Sequence, residues 1–89
     1  MKDFDMLETA KRIRALRLEK NVDQNTFSEE INVSNSSVSY WENAKQVPSA
    51  EVIYKLAIYF DVSADYLLGI KDDWSFGNNY FKRIWASEA

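Results

Sequence analysis

The sequence predicts an all-α fold, in which residues 1–69 form a compact domain of five helices and residues 70–89 form a C-terminal helical tail. Three observations lead to this prediction. The 89 residues include only two Gly and one Pro, and so few turn-forming residues favour helices joined by short loops over many short strands. Apolar residues recur at intervals of three and four, which is the spacing of one helical face. Three of these apolar stretches follow a Ser, where helix N-caps are expected.

The first two predicted helices come before a tight turn. The first spans residues 8–20, and the second spans residues 24–31, with Phe27 and Ile31 four residues apart on its apolar face. The apolar positions of the first helix, with Arg17 on the same face, are Ala10, Ile13 and Leu16. Its basic residues lie mostly on the opposite face, which predicts that this face is solvated.

The third predicted helix spans residues 35–43 and follows Ser34, a good N-cap candidate. Val38 and Trp41 lie three residues apart, so we expect them to face the core together. The polar residues of this helix then face elsewhere, and residues 43–48 form a loop.

The remaining helices follow serine caps in the same way. Ser49 precedes the strongest apolar stripe of the chain, and Ser63 precedes a short helix over residues 64–68 that ends at Gly69, placed as a C-terminal cap. The stripe consists of Val52, Ile53, Leu56, Ala57 and Phe60. In the tail, apolar residues four apart predict a sixth helix that runs from Asn78 or Asn79 to Ser87.

Composition excludes several kinds of chemistry. The chain has no Cys and no His, so disulfides, thiol catalysis, Cys-ligated zinc and a His-based triad are impossible. We expect neither an enzyme nor a metal, cofactor or small-molecule ligand. No segment approaches the ~18 apolar residues of a membrane helix, so we expect a cytoplasmic protein with no membrane partner.

Charge is informative in its distribution. The net charge is -3, which makes non-specific nucleic-acid binding weak but leaves specific binding by one face open. Five basic residues fall between Lys11 and Lys20. A run of this kind is usually a solvated face; we expect Arg17 to be the paired exception, and Arg12 and Arg14 could still reach a phosphate.

The most informative segment is residues 24–43, which holds two short helices joined by a tight turn. That is the layout of a helix-turn-helix, whose second helix enters the DNA major groove. The chain resembles the Xre-type, phage-repressor-like helix-turn-helix regulators over residues 8–69. The shared motifs are RIRALR at 12–17, DQ at 23–24, NVS at 32–34, VSYWEN at 38–43, PS at 48–49 and VSADYLLG at 62–69. The resemblance implies a five-helix fold.

The resemblance also implies a set of DNA contacts. It assigns phosphate contacts to Gln24, which braces the third helix, and to Ser34. The first exposed residues of the third helix would read base edges, and Asn can bond adenine through two hydrogen bonds. The base-reading positions are Asn35, Ser36 and Ser37, followed by Ser39 and Tyr40. The loop that follows would meet the DNA backbone through Asn43 and Lys45.

Arg17 and Glu42 match an internal ion pair of the family that ties the first helix to the end of the third. Such a buried pair fixes geometry more than it adds stability. Two features depart from the family pattern. The third helix has no Lys or Arg, so it cannot form the frequent Arg–guanine contact. Ala44 stands where the family usually has Gly, which would be unfavourable if that residue has a positive φ.

The tail has two interpretations. Its six large apolar residues are too many to leave in water, so they either complete the core of the same chain or cover the same segment of a second copy in a dimer. These residues are Trp74, Phe76, Tyr80, Phe81, Ile84 and Trp85. A homodimer is favoured, because two recognition helices about 34 Å apart read two half-sites.

Taken together, the sequence predicts a sequence-specific regulator, a repressor that binds a two-fold operator in double-stranded DNA through the helix at residues 35–43. The alternative is a protein-interaction module of the same fold, similar to an antirepressor or an antitoxin, with weak or no DNA binding. The lack of Lys and Arg in the recognition helix and the low pI of about 4.8 favour the alternative, and the intact Gln24, Ser34 and Arg17–Glu42 pair favour DNA.

Overall fold

The computed structural model describes residues 3–72, which form five α-helices and no strand. The helices are α1 (Met6–Glu19), α2 (Gln24–Glu30), α3 (Asn35–Glu42), α4 (Ala50–Phe60) and α5 (Ala64–Leu68). The prediction of an all-α, five-helix body is confirmed. The predicted tail helix and its six apolar residues lie outside the described residues, and the division at residue 69 stays a prediction.

An acidic or serine side chain starts every helix. The five N-caps are Asp5, Asp23, Ser34, Ser49 and Ser63, and each accepts a hydrogen bond from a backbone N–H in the first turn of its helix. This confirms the three predicted serine caps. Because the cap of the first helix is an Asp further upstream, that helix begins at Met6, two residues earlier than its apolar pattern indicated, and ends one residue earlier.

Every helix contributes one residue with no exposed surface to a single core. These residues are Ile13, Phe27, Val38, Leu56 and Leu67. Trp41 of α3 joins them with 3% of its surface exposed, as the sequence predicted. The core therefore holds α3 by its apolar face and leaves the opposite face of that helix to solvent.

A residue with positive φ follows each of the five helices. The five residues are Asn21, Asn32, Ala44, Asp61 and Gly69. Asn, Asp and Gly tolerate this left-handed conformation, whereas a Cβ beside the following carbonyl costs Ala about 1–2 kcal/mol. Ala44 has φ 59°, so the departure from the family's Gly does place strain at the end of α3.

Candidate nucleic-acid interface

Helix α3 separates its apolar and polar residues between two faces. Val38 and Trp41 are buried, whereas Asn35 and Ser36 are exposed and Tyr40 keeps 49% of its surface exposed. The hydrogen bonds among residues 3–72 leave the side-chain amide of Asn35 unused, and this amide offers both a donor and an acceptor. Asn35 can therefore form hydrogen bonds to a ligand without breaking side-chain bonds of its own.

Three serine hydroxyls cluster at the start of α3. The Ser34 Oγ accepts a hydrogen bond from the Ser37 N–H at 3.1 Å and lies 2.8 Å from the Ser37 Oγ and 3.3 Å from the Ser36 Oγ. Ser37 is only half-exposed. Of the three serines, Ser34 and Ser36 are thus the ones that solvent reaches best, and Ser37 has its hydroxyl turned towards the cap.

A charged network ties α1, α2 and the end of α3 together. The Arg17 Nε donates to the Glu42 Oε2 at 2.7 Å and the Arg17 Nη2 donates to the Glu42 Oε1 at 3.0 Å, which is the bidentate geometry of a strong pair. The Gln24 Nε2 donates to the same Oε1 at 3.2 Å. In the structure Arg17 is thus paired with Glu42, and Gln24 contacts the same carboxylate at the end of α3.

The ion pair of this network is buried, which makes its loss costly. The side chains of Arg17 and Glu42 are only 9% and 2% exposed. The Arg17 Nη1 also donates to the Val22 carbonyl at 2.9 Å. The hydrogen bond to Glu42 raises the pKa of Arg17 above its ordinary value, even though burial opposes the charge. A displaced α3 would leave a buried charge unpaired, so the network holds the helix at one angle.

The end of α3 has local hydrogen bonds of its own. The Asn43 Nδ2 donates to the Ser39 carbonyl at 2.9 Å and to the Ser39 Oγ at 3.2 Å. The Lys45 N–H donates to the Tyr40 carbonyl at 2.8 Å, and its side chain is exposed. Ser39 and Asn43 thus help to end the helix, while the ammonium group of Lys45 stands at the surface beside it.

The exposed face of α3 is polar and uncharged. The only charged residue of helix α3 is Glu42, whose buried carboxylate is paired with Arg17. Hydroxyl and amide groups of this kind suit hydrogen bonding to base edges and phosphate oxygens. In the described part of the chain, no three acidic side chains stand close enough to hold a metal ion.

Arg12 is a second paired residue of the basic run, for which the sequence predicted only Arg17 as a paired exception to a solvated face. Its Nε donates to Glu8 at 2.8 Å, and its Nη1 donates to the carbonyls of Tyr66 at 2.7 Å and Lys71 at 2.6 Å. Its Nη2 donates to Asp72 at 3.1 Å. The guanidinium also lies 4.3 Å from the centre of the Tyr66 ring, so it is occupied by contacts within the fold. The four-residue spacing of Glu8 and Arg12 could have indicated the first of these bonds.

None of the described helices is both long enough and apolar enough to cross a membrane.

Comparisons with known proteins agree with the geometry. A family model described as helix-turn-helix (HTH_3) matches residues 13–67. The chain is 32% identical over 67 residues to the HTH-type transcriptional regulator ImmR of Bacillus subtilis (strain 168), covering 75% of this chain and 52% of the relative. It is 34% identical over 62 residues to the uncharacterized HTH-type transcriptional regulator YobD of the same organism, covering 70% of this chain and 55% of the relative.

A third relative is the HTH-type transcriptional activator BcrR of Enterococcus faecalis. It is 32% identical over 62 residues, covering 70% of this chain and 30% of the relative. The chain thus spans about half the length, or less, of the curated relatives that it matches.

Proposed function

The chain belongs to the helix-turn-helix family, and we propose that it regulates transcription by placing α3 in the major groove of a specific DNA sequence. The observation that carries the proposal is the exposed, unbonded amide of Asn35 at the start of a helix whose angle is fixed by the buried Arg17–Glu42 pair. A side chain reads a base reliably only when its helix is held in one orientation.

The contacts divide by the chemistry of each group. Asn35 and Ser36 read base edges, and Asn favours adenine. Gln24 and Ser34 bind phosphate oxygens on either side of the turn, and these contacts fix the register of the helix on the duplex. The remaining residues of the set, which extend the contact along α3 and into its loop, are Ser37, Ser39, Tyr40, Asn43 and Lys45.

The protein acts as a repressor and as a homodimer on a two-fold operator. The motif resemblance to phage-repressor-like regulators supports repression. The dimer is supported by the geometry of reading, because a single helix of eight residues contacts few base pairs and two such helices about 34 Å apart read half-sites one turn apart. The apolar residues of segment 74–85 supply the interface between the two subunits.

Selection from random duplex DNA at moderate salt tests the specificity. We expect an enriched inverted repeat whose half-site spacing gives the separation of the two α3 helices. An enriched single half-site would support DNA recognition and contradict the homodimer. A lack of enrichment, when a control regulator succeeds, would reject the proposal.

The variant Asn35→Ala tests base reading itself. We expect it to change the preference at one operator position by about 1–3 kcal/mol. Asn25→Ala, at an exposed position of α2, is the matched control and should leave the preference unchanged. An equal loss on all sequences would show that Asn35 does not read bases.

One observation favours a second function, a protein-interaction module of the same fold. The exposed face of α3 has no cation, and cations against phosphate supply most of the non-specific affinity for DNA. The salt dependence of complex formation separates the two functions, because a DNA complex weakens steeply as salt rises whereas an apolar protein complex does not.

A further inference from the structure

An apolar groove runs between α4 and α5, away from the candidate DNA-binding residues of α3. It measures about 640 Å³, and its apolar lining includes Tyr54 and Ile58 of α4 and Leu68 of α5. Tyr54 and Ile58 are 69% and 53% exposed. They are four residues apart on one helical face, so they form a continuous apolar strip that none of the other described residues covers.

Acidic side chains flank this groove. Asp65 lies in its lining, and Glu51 lies three residues before Tyr54 on the same face of α4. On the groove side the apolar strip is thus bordered by negative charge, whereas Lys55 beyond its other edge donates to the Ile31 carbonyl. A partner complementary to the groove side would combine large apolar side chains with basic ones.

Segment 74–85 of this chain has that composition. It contains six large apolar residues, and the basic pair Lys82–Arg83 lies among them. The segment begins soon after the groove, since Leu68 is only six residues before Trp74. Each of two copies of the chain therefore has a groove and a segment whose composition suits the groove of the other copy.

The direction in which the chain leaves α5 favours exchange between two copies. The groove is lined by Ala64, Asp65 and Leu68, and with 3.6 residues per turn Tyr66 lies on the opposite side of α5. Arg12 contacts the Tyr66 ring there and holds the Lys71 carbonyl. Residues 71 and 72 are thus held by Arg12 on the side of α5 opposite the groove.

We infer that the α4–α5 groove is the docking site for segment 74–85 of a second copy, with Lys82–Arg83 against Glu51 and Asp65. The inference rests on the proposed homodimer and assigns its two contacting surfaces. Exchange of the two segments gives a closed, symmetric dimer in which each groove is filled once.

Cross-linking between two single-cysteine variants tests the exchange, because the chain has no Cys of its own. Ala50→Cys places a thiol in the groove lining, and Ser87→Cys places one just after the docking segment. An equimolar mixture of the two, treated with a short bismaleimide, should give a covalent dimer that joins the two positions. Ala15→Cys, exposed on α1, replaces Ala50→Cys in the control and should give at least tenfold less product.

The double variant Ala50→Cys/Ser87→Cys distinguishes the occupants. A cross-link within one chain, unchanged on dilution, would show that the segment fills its own groove and would overturn the inference. Product no greater than with Ala15→Cys would overturn it as well. The experiment contains no DNA, so its failure leaves the DNA-binding proposal untouched.

A second measurement does not need cross-linking. Ile58→Glu adds charge to the groove at a position that is 53% exposed, and Leu18→Glu makes the same change on α1 at 55% exposed. By sedimentation equilibrium of the full chain, we expect Ile58→Glu to raise the Kd of the dimer at least tenfold and Leu18→Glu to change it less than twofold. Equal effects of the two variants would overturn the assignment of the groove.

Discussion

Removing one member of the Arg17–Glu42 pair should be far more damaging than removing both. Glu42→Leu breaks three hydrogen bonds, two from Arg17 and one from Gln24, and leaves a guanidinium that is 9% exposed with the Val22 carbonyl alone. Breaking a buried pair in this way costs about 3–5 kcal/mol. The total free energy of unfolding of a small domain is about 5–15 kcal/mol, so this loss is a large fraction of it.

The double variant Arg17→Met/Glu42→Leu removes the unpaired charge and replaces both side chains by apolar ones of similar size. Its free energy of unfolding should lie within about 1–2 kcal/mol of the original, since such replacements are often neutral or stabilising. The coupling in the double-mutant cycle should then exceed about 2 kcal/mol.

Urea unfolding followed by circular dichroism measures the four free energies, with Glu19→Leu at an exposed position of α1 as the control expected to change by less than about 0.5 kcal/mol. If the double variant lost as much as the two single variants together, or each single variant lost under about 1 kcal/mol, as surface pairs do, the pair would not be the constraint on α3 that we describe. DNA selection on the folded double variant then shows whether the fixed angle matters for reading.

Three further expectations concern the backbone, the capping charge and the exit of the chain. Ala44→Gly should raise the free energy of unfolding by about 1 kcal/mol because φ is 59° there. Ala15→Gly inside α1 should instead lower it by about 1 kcal/mol. The same urea assay compares them, and a change of the same sign in both variants would contradict the strain at residue 44. The hydrogen bond from the Thr26 N–H holds the pKa of Asp23 below its ordinary value of 3.8. The stabilisation by this carboxylate is therefore complete above that value and is lost as pH falls through the lower folded-state pKa. The melting temperature should fall less steeply from pH 5 downwards for Asp23→Asn, which keeps the cap, and equal slopes for the two proteins would refute this. Arg12→Met should lower the free energy of unfolding in urea by about 1–3 kcal/mol, because it removes a charged donor from the Lys71 carbonyl and from the Tyr66 carbonyl, which keeps only its bond from the Gly69 N–H. A loss near zero would show that Arg12 does not hold the chain after α5.

Much of the candidate site followed from the chain because its signals are local. Helix caps, apolar spacing and the turn between α2 and α3 involve residues within a few positions of each other, so Ser34 and the buried pair Val38 and Trp41 were predictable from spacing. The pairing of Arg17 with Glu42 spans 25 residues and came from the family resemblance, which preserves contacts that spacing cannot show. The roles assigned to Asn35 and its neighbours in DNA binding remain predictions.

The sequence by itself determined the five helices, their order and the side of α3 that faces solvent, because each depends on the periodicity of neighbouring residues. Only the tertiary structure decided what Arg12 does and where the α4–α5 groove lies. Arg12 meets the carbonyls of Tyr66 and Lys71 across 54 and 59 residues, and the groove exists because α4 and α5 pack with an apolar strip left open between them. A contact between distant segments depends on how whole helices pack, and no local pattern records that packing.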